Sequence, residues 1–373
     1  PYNGMTPSYV DQNSGQYNEH SATGCVATAT TQIMYYWKWP QDATETIPSY
    51  TYNWSGNTKT MPSLPPVVFD WASMKDTYGN NDSQASKDAV SQLMLYAGCG
   101  MQSGYAGATG ATSVNAMNAL KEYFGYTKKA FNVYHLNYTF QEWEDLLYNE
   151  LAAGRPLLIG ADNYERTGGH EFICDGYDGK GLYHINWGWG GLSDGYFLLT
   201  ALDPTEQGTG GSSAGYNLGQ QVIMGIRPPV EGSYVIPVMR FQSNFWTSAS
   251  SYARPYGEVR FVDRRGIFNE SIEAVTATRG VKLTDSDGAV TYVESSPVRY
   301  SAGQGTIRYG MLAEKFPDSG TYTVRPAVKD STGVWWDCEV NMANTRELTL
   351  TVTPDSLLFK PIGEAEVRAT DLQ

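Results

Sequence analysis

The sequence predicts an α+β domain over residues 1–229 followed by an all-β domain over residues 230–373. In the first part, several segments carry apolar residues at the spacing of an amphipathic helix, and short apolar strands follow them. Helical patterning ends near Pro228-Pro229, and beyond this point short strand-like runs alternate with turn residues. A chain of 373 residues is also long enough for two domains of ordinary size.

The first predicted helix covers Cys25–Trp37. This stretch contains neither glycine nor proline, and Pro40 cannot continue a helix. Further helices are predicted over residues 87–97, 114–124 and 139–153. The last of them begins with a capping box, in which Thr139 and Glu142 satisfy the free N–H groups of the first turn.

Strands follow the helices in the first domain and fill the second. In the first domain they are predicted over residues 157–161, 171–177, 182–187, 196–201 and 221–226. In the second domain they are predicted over residues 234–241, 257–262, 281–284, 290–293, 306–311, 321–328, 334–340 and 348–352. The second domain has no histidine and only one cysteine, Cys338, so we expect it to be accessory rather than catalytic.

The segment of residues 318–322 resembles the tyrosine corner of immunoglobulin-like sandwiches. Tyr322 lies two residues before Val324, which occupies the position where antibody domains have a cysteine. The second domain is therefore predicted to be an immunoglobulin-like β-sandwich.

Charge and composition exclude several classes of partner. The formal net charge is −13 and the isoelectric point is near 4.8, which argues against nucleic acid and anionic membranes. No apolar run approaches the roughly 20 residues of a membrane span. His170 is not followed by a second histidine at helical spacing, so neither a metal nor another cofactor is expected.

Cys25 is the candidate nucleophile. It follows Gly24 and begins the first predicted helix. The amino terminus of a helix and a neighbouring imidazolium both favour a thiolate, which is the reactive form of cysteine. A histidine that reaches Cys25 could exchange a proton with it and with a leaving amine. The pattern indicates a cysteine peptidase.

Two of the four histidines are candidates for the partner of Cys25. His20 lies close to Cys25 in the chain, and His135 lies in a polar stretch without a glycine or strand signal. His170 follows two glycines and begins an apolar run, whereas His184 lies inside a predicted strand. The residues alone do not separate His170 from His184.

The chain resembles the streptopain family of papain-fold bacterial cysteine peptidases. The matching strings lie in order between residues 1 and about 228: Pro1-Tyr2-Asn3, Ala22-Thr23-Gly24-Cys25-Val26-Ala27-Thr28-Ala29, Gly168-Gly169-His170, His184-Ile185-Asn186-Trp187-Gly188-Trp189-Gly190-Gly191, Ser193-Asp194-Gly195 and Gly208-Thr209-Gly210-Gly211. The resemblance implies a papain-like fold for residues 1–229.

The resemblance also implies roles for single residues. Cys25 would be the nucleophile and His170 its partner, Asn186 and Trp187 would orient and shield the imidazole, and His184 would be structural. Tyr164, Gly168 and Gly169 are predicted to contact the substrate.

The activity implied is that of an endopeptidase, secreted or on the bacterial cell surface, that hydrolyses polypeptides through an acyl-enzyme. An inhibitory N-terminal propeptide, absent from this sequence, belongs to the same expectation. The resemblance also implies a glutamine upstream of Pro1 that stabilises the oxyanion, and without it turnover would be slow. Gln12 and Gln16 are the nearest substitutes in this sequence.

Three alternatives to an endopeptidase remain open. Cys-His-Asn chemistry also serves peptidoglycan amidases and transglutaminase-like acyl transferases. A third possibility is a non-enzymatic adhesin with a vestigial peptidase domain.

Two loops rich in small residues, 98–111 and 207–215, are expected to pack poorly, to be mobile and to border the cleft.

Overall fold

Four α-helices form in the described part of the first unit, each at a predicted position. They are α1 (Cys25–Trp37), α2 (Gln84–Gly100), α3 (Ser113–Glu122) and α4 (Phe140–Ala152). The computed structural model describes residues 1–54, 56–211, 215–229, 239–241, 245–269, 274–301, 304–340 and 347–361. The chain divides into two units, Pro1–Ser233 and Tyr234–Gln373.

The helix starts follow from local capping. At α4 the predicted capping box is confirmed, because the Thr139 side chain accepts the Glu142 N–H while the Glu142 carboxylate accepts the Thr139 N–H. Ser83 and Thr112 cap α2 and α3, so both helices begin earlier than apolar spacing alone indicates.

The described residues of the first unit form two small hairpins and one large sheet. The hairpins are β1 (Tyr9–Val10) with β2 (Tyr17–Asn18), and β3 (Tyr50–Trp54) with β4 (Asn57–Met61). The sheet contains β5 (Phe131–Tyr134), β6 (Leu157–Asp162), β7 (Gly169–Tyr177), β8 (Tyr183–Asn186), β9 (Gly195–Phe197) and β10 (Leu218–Met224). Its strand order is β5-β10-β6-β7-β8-β9, and every pair is antiparallel. The sequence analysis missed β5 and both hairpins.

Both faces of the six-stranded sheet are buried. Leu158, Ile173 and Ile223 pack on the face that carries α1, α2 and α3. Their sequence neighbours, among them Phe172 and Cys174, pack on the other face with the α4 residues Trp143 and Leu147. Because side chains alternate along a strand, consecutive residues of β7 face two different cores.

In the second unit, the strands among the described residues form two sheets. They are β11 (Met239–Phe241), β12 (Trp246–Thr247), β13 (Ser251–Ala253), β14 (Glu258–Asn269), β15 (Val275–Thr284), β16 (Val290–Tyr300), β17 (Gly305–Leu312), β18 (Gly320–Lys329), β19 (Trp335–Asp337), β20 (Glu339–Val340), β21 (Leu348–Val352) and β22 (Ser356–Pro361). One sheet joins β11, β12, β14, β17 and β20, and the other joins the rest. Residues of both sheets contribute to one apolar core.

The immunoglobulin-like assignment of this unit stays a prediction. The Tyr322 hydroxyl donates a hydrogen bond to the Ser319 carbonyl at 2.9 Å, the kind of bond that a tyrosine corner makes. Of the strand predicted over residues 234–241, Met239–Phe241 is a strand and residues 234–238 lie outside the described residues.

The expectation that loop 98–111 packs poorly is wrong. Residues 98–100 complete α2, and Met101, Ser103, Tyr105 and Ala106 are at most 1% exposed. The buried aromatic ring of Tyr105 supplies much of the apolar area of this loop. The prediction was wrong because it considered only the many small residues of the loop. Of the second loop, residues 212–214 lie outside the described residues. No helix in the described ranges has the length and apolarity needed to cross a bilayer.

Candidate active site

A cleft of about 1420 Å³ lies in the first unit, where the N-terminal end of α1 meets one end of the sheet. Cys25, His170 and Asn186 all line it. Of the three residues predicted to contact substrate, Gly169 lines the cleft, whereas Gly168 does not. Tyr164 does not line it either, and its side chain is 72% exposed.

Gly24 allows Cys25 to begin α1 at the cleft. Its φ of 93° lies in the left-handed region, which favours glycine. A Cβ at this position would lie 2.7 Å from the Thr109 carbonyl oxygen, so the close approach of the two segments also excludes a side chain. Cys25 is the first residue of α1, and its thiol therefore sits at the positive end of the helix dipole.

The turn before Cys25 is held by the N-terminal segment. The Asn3 side-chain oxygen accepts hydrogen bonds from the Thr23 N–H at 2.9 Å and from the Thr23 hydroxyl at 2.7 Å. This contact gives the Pro1-Tyr2-Asn3 string a structural reason to lie beside the cleft.

His170 is fixed by a bond to the backbone. Its Nε2 lies 2.8 Å from the Trp187 carbonyl oxygen, which can only accept, so Nε2 carries a proton. In the neutral ring Nδ1 is then the proton acceptor. Nδ1 is buried and has no hydrogen-bond partner among the described residues, and no hydrogen bond joins it to Cys25 Sγ.

Aromatic rings surround the imidazole. The Trp189 ring stacks on the imidazole, with ring centroids 4.5 Å apart and planes 20° from parallel. The ring centroids of Trp187, Tyr216 and Phe172 lie 5.2 to 6.2 Å from the imidazole centroid. This burial lowers the pKa of His170 to about 4, although the bond to the Trp187 carbonyl favours the protonated ring.

Asn186 lines the cleft but makes no hydrogen bond to His170. Its side-chain oxygen accepts the Gly188 N–H at 2.9 Å. The Trp187 carbonyl therefore makes the hydrogen bond that orients the His170 ring, and the Asn186 side chain does not. The sequence analysis predicted that Asn186 and Trp187 together would orient and shield the ring. A backbone contact of this kind carries no side-chain signal in a sequence.

The backbone of Trp187 is held in turn by Asp194. The Asp194 Oδ1 accepts the Trp187 N–H at 2.8 Å. Burial raises the pKa of Asp194, and this hydrogen bond opposes the increase. His184 does not line the cleft; its Nδ1 lies 2.5 Å from Asp175, and its ring contacts Tyr196.

The pKa of the Cys25 thiol is raised, whereas the sequence analysis expected surroundings that favour the thiolate. Burial raises the pKa of Cys25, and backbone N–H groups of Glu171 and Val26 only partly offset this increase. The predicted thiolate-stabilising effect of the helix end is therefore present but outweighed. Burial thus disfavours the isolated thiolate of Cys25 and the isolated imidazolium of His170.

Several cleft residues were missed by the sequence analysis. Trp189, Asp194, Glu171 and Ser113 all line the cleft. Trp189 could have been found from its glycine-flanked repeat with Trp187, but Ser113 is distant in sequence from every motif. Gln12 and Gln16 are exposed and do not line the cleft. The described residues contain no group of three or more side chains suited to holding a metal ion.

Comparisons with known proteins identify a peptidase family. The model of the peptidase C10 family matches residues 1–197. Streptopain of Streptococcus pyogenes serotype M28 (strain MGAS6180) is 36% identical over 244 residues, which cover 61% of this chain and 59% of streptopain. The thiol protease/hemagglutinin PrtT of Porphyromonas gingivalis is 34% identical over 329 residues, which cover 84% of this chain and 36% of PrtT.

A solved structure supports the fold. Active wild-type interpain A cysteine protease of Prevotella intermedia is 32% identical, with a TM-score of 0.50, and the match covers 60% of this chain and 88% of that chain. This likeness supports the predicted papain-like peptidase fold.

The burial of His170 predicts its titration. In a Cys25→Ala variant, which removes the thiol but keeps the aromatic rings, the imidazole should protonate near pH 4, because burial still disfavours the charged ring. The ring is then neutral above this pH and charged below it. NMR of the ring nitrogens measures the midpoint, and a midpoint at or above the ordinary value of about 6.5 would contradict this account.

Proposed function

The chain belongs to the peptidase C10 family, and from this membership and the cleft geometry we propose that it is a cysteine endopeptidase acting on polypeptides. The observation that carries the proposal is the His170–Trp187 bond, which leaves Nδ1 free to accept a proton in the cleft that also holds Cys25. We propose residues 1–229 as the catalytic domain and residues 230–373 as an accessory immunoglobulin-like sandwich.

The proposed reaction begins with a neutral pair. Cys25 Sγ attacks the carbonyl carbon of the substrate, and its proton passes to His170 Nδ1. The Cys25 N–H and the α1 dipole stabilise the negative charge that develops on the carbonyl oxygen. Meanwhile, the Trp187 carbonyl accepts from Nε2 and stabilises the imidazolium.

His170 also acts in the steps that follow the attack, which complete the first half of the reaction and then carry out the second. The imidazolium gives its proton to the leaving amine as the carbon–nitrogen bond breaks, and an acyl-enzyme remains on Sγ. His170 Nδ1 then takes a proton from water as the water oxygen attacks the thioester carbon. The carbon–sulfur bond breaks, the product leaves with its new carboxyl group, and the imidazolium returns its proton to Cys25 Sγ. Burial that lowers the pKa of His170 makes the imidazolium a ready proton donor in the first half.

We propose that the enzyme is secreted or displayed on a bacterial cell surface. The matched streptopain and PrtT sequences both come from bacteria. The acidic net charge of −13 is compatible with a protein that works free of nucleic acid.

Casein turnover tests the proposed function. Cys25→Ala should abolish hydrolysis, and His170→Ala should lower kcat/KM by a factor on the order of 10² to 10⁴, because the proton acceptor is lost. His184→Asn is the matched control and should stay near the wild-type rate, since His184 lies outside the cleft.

Two results would contradict the assignment. One is casein hydrolysis by a folded Cys25→Ala variant. The other is a wild-type protein that cleaves peptidoglycan fragments, or binds matrix proteins, without cleaving casein.

Asp194 is proposed as a positioning residue for His170, acting through the Trp187 backbone. Asp194→Ala should lower kcat by a factor of about 10 to 100 with little change in KM, because the imidazole is displaced while the cleft remains. Asp194→Asn keeps an oxygen that can accept the Trp187 N–H and should restore most of kcat. Equal losses in the two variants would show that the negative charge, rather than the hydrogen bond, matters.

A further inference from the structure

Glu171 is a buried acid that the proposed reaction does not use. It follows His170 on β7 but faces the opposite side of the sheet, towards α1 and α3. Its side chain is 5% exposed, and its Oε2 accepts a hydrogen bond from the Ser113 hydroxyl at 2.7 Å. Its Oε1 has no partner among the described residues. Buried polar atoms normally have one, so this oxygen calls for an explanation.

The sheet makes room for this carboxyl group. Gly160 on β6 pairs directly with Glu171, and Gln221 on β10 pairs with Gly160. A Cβ at position 160 would lie 2.6 Å from Glu171 Oε2 and 2.8 Å from Ser113 Oγ. Glycine at this position therefore leaves room for the Glu171 carboxyl and the Ser113 hydroxyl, and Gly160, Glu171 and Gln221 all line the cleft.

A second carboxylate lies on the same face. Asp162 is two residues after Gly160 on β6 and pairs with Gly169, so it is diagonal to Glu171 with no side chain on the two intervening glycines. Asp162 also lines the cleft. The lysines among the cleft-lining residues are Lys38 and Lys75, and Lys38 follows the C-terminal end of α1. It is thus about 20 Å along the helix from Cys25.

We propose that Glu171 and Asp162 form an acidic subsite beside Cys25 that accepts a lysine or arginine side chain of the polypeptide substrate. This inference rests on the proposed function. A buried carboxylate is stabilised by a cation that also donates hydrogen bonds, and an ion pair shielded from water is strong. The free Oε1 supplies the acceptor that such a side chain needs.

The protonation of Glu171 makes the preference depend on pH. Burial raises the pKa of Glu171 to about 7. The titratable groups that line the same cleft include Cys25 on α1, Asp162 on β6, His170 on β7 and Asp194, and the neutral Ser113 and Gln221 line it as well. A cationic side chain binds the ionised carboxylate, so the preference for lysine should grow as pH rises through about 7 and fade below it.

Matched peptides that carry lysine or norleucine test the subsite. The two side chains have similar length, and only lysine is charged. Each is placed in turn at the three positions before the scissile bond, and kcat/KM is measured at pH 6 and pH 8. At one position, the wild-type protein at pH 8 should favour lysine by about 10-fold or more, and less so at pH 6.

The variants show which residue carries the preference. Glu171→Gln should cleave the norleucine peptide and lose the preference for lysine, and Asp162→Asn should reduce it. Asp178→Asn is the matched control, since Asp178 does not line the cleft and its side-chain oxygen accepts the N–H groups of Lys180 and Leu182, and it should leave the preference unchanged.

Equal or better cleavage of norleucine peptides at all three positions would overturn the subsite, as would an unchanged lysine preference in Glu171→Gln. If Glu171→Gln does not fold, the pH series of the wild-type protein decides alone. A wild-type protein that cleaves no peptide of either kind overturns the proposed function, and the subsite with it.

Discussion

The hydrogen bond from His170 Nε2 to the Trp187 carbonyl is the contact on which the proposed chemistry depends. Because a carbonyl can only accept, the bond fixes which ring nitrogen carries the proton and leaves Nδ1 as the base. The bond in turn requires that the Trp187 backbone be held, which Asp194 does through the N–H of the same residue. The Trp189 ring covers the imidazole and contributes to the burial that lowers its pKa.

The alternation of β7 places two different functions on adjacent residues. His170 points into the aromatic core shared with Phe172, while Glu171 points towards α1 and α3. One strand therefore supplies the proton acceptor of the reaction and the carboxylate of the inferred subsite. Gly160 and Gly24 allow this arrangement because they have no side chain. A Cβ at either position would collide with a neighbouring oxygen.

Local signals explain how much of the first unit could be predicted. The bounds of α1 follow from its local composition, and the capping box of α4 follows from Thr139. Both features depend only on residues that are close in sequence. The buried loop around Tyr105 and the pairing of Ser113 with Glu171 join distant segments, so no local pattern reveals them. The raised pKa of Cys25 is also a tertiary effect, since the helix end is local but the burial is not.

The tautomer of His170 in the wild-type protein tests the central claim most directly. Nitrogen NMR of the ring at about pH 7 distinguishes the two neutral forms from the imidazolium. The structure requires a proton on Nε2 and none on Nδ1. A proton on Nδ1 alone would contradict the Trp187 bond, and a doubly protonated ring would show that the resting pair is an ion pair instead of a neutral thiol and imidazole.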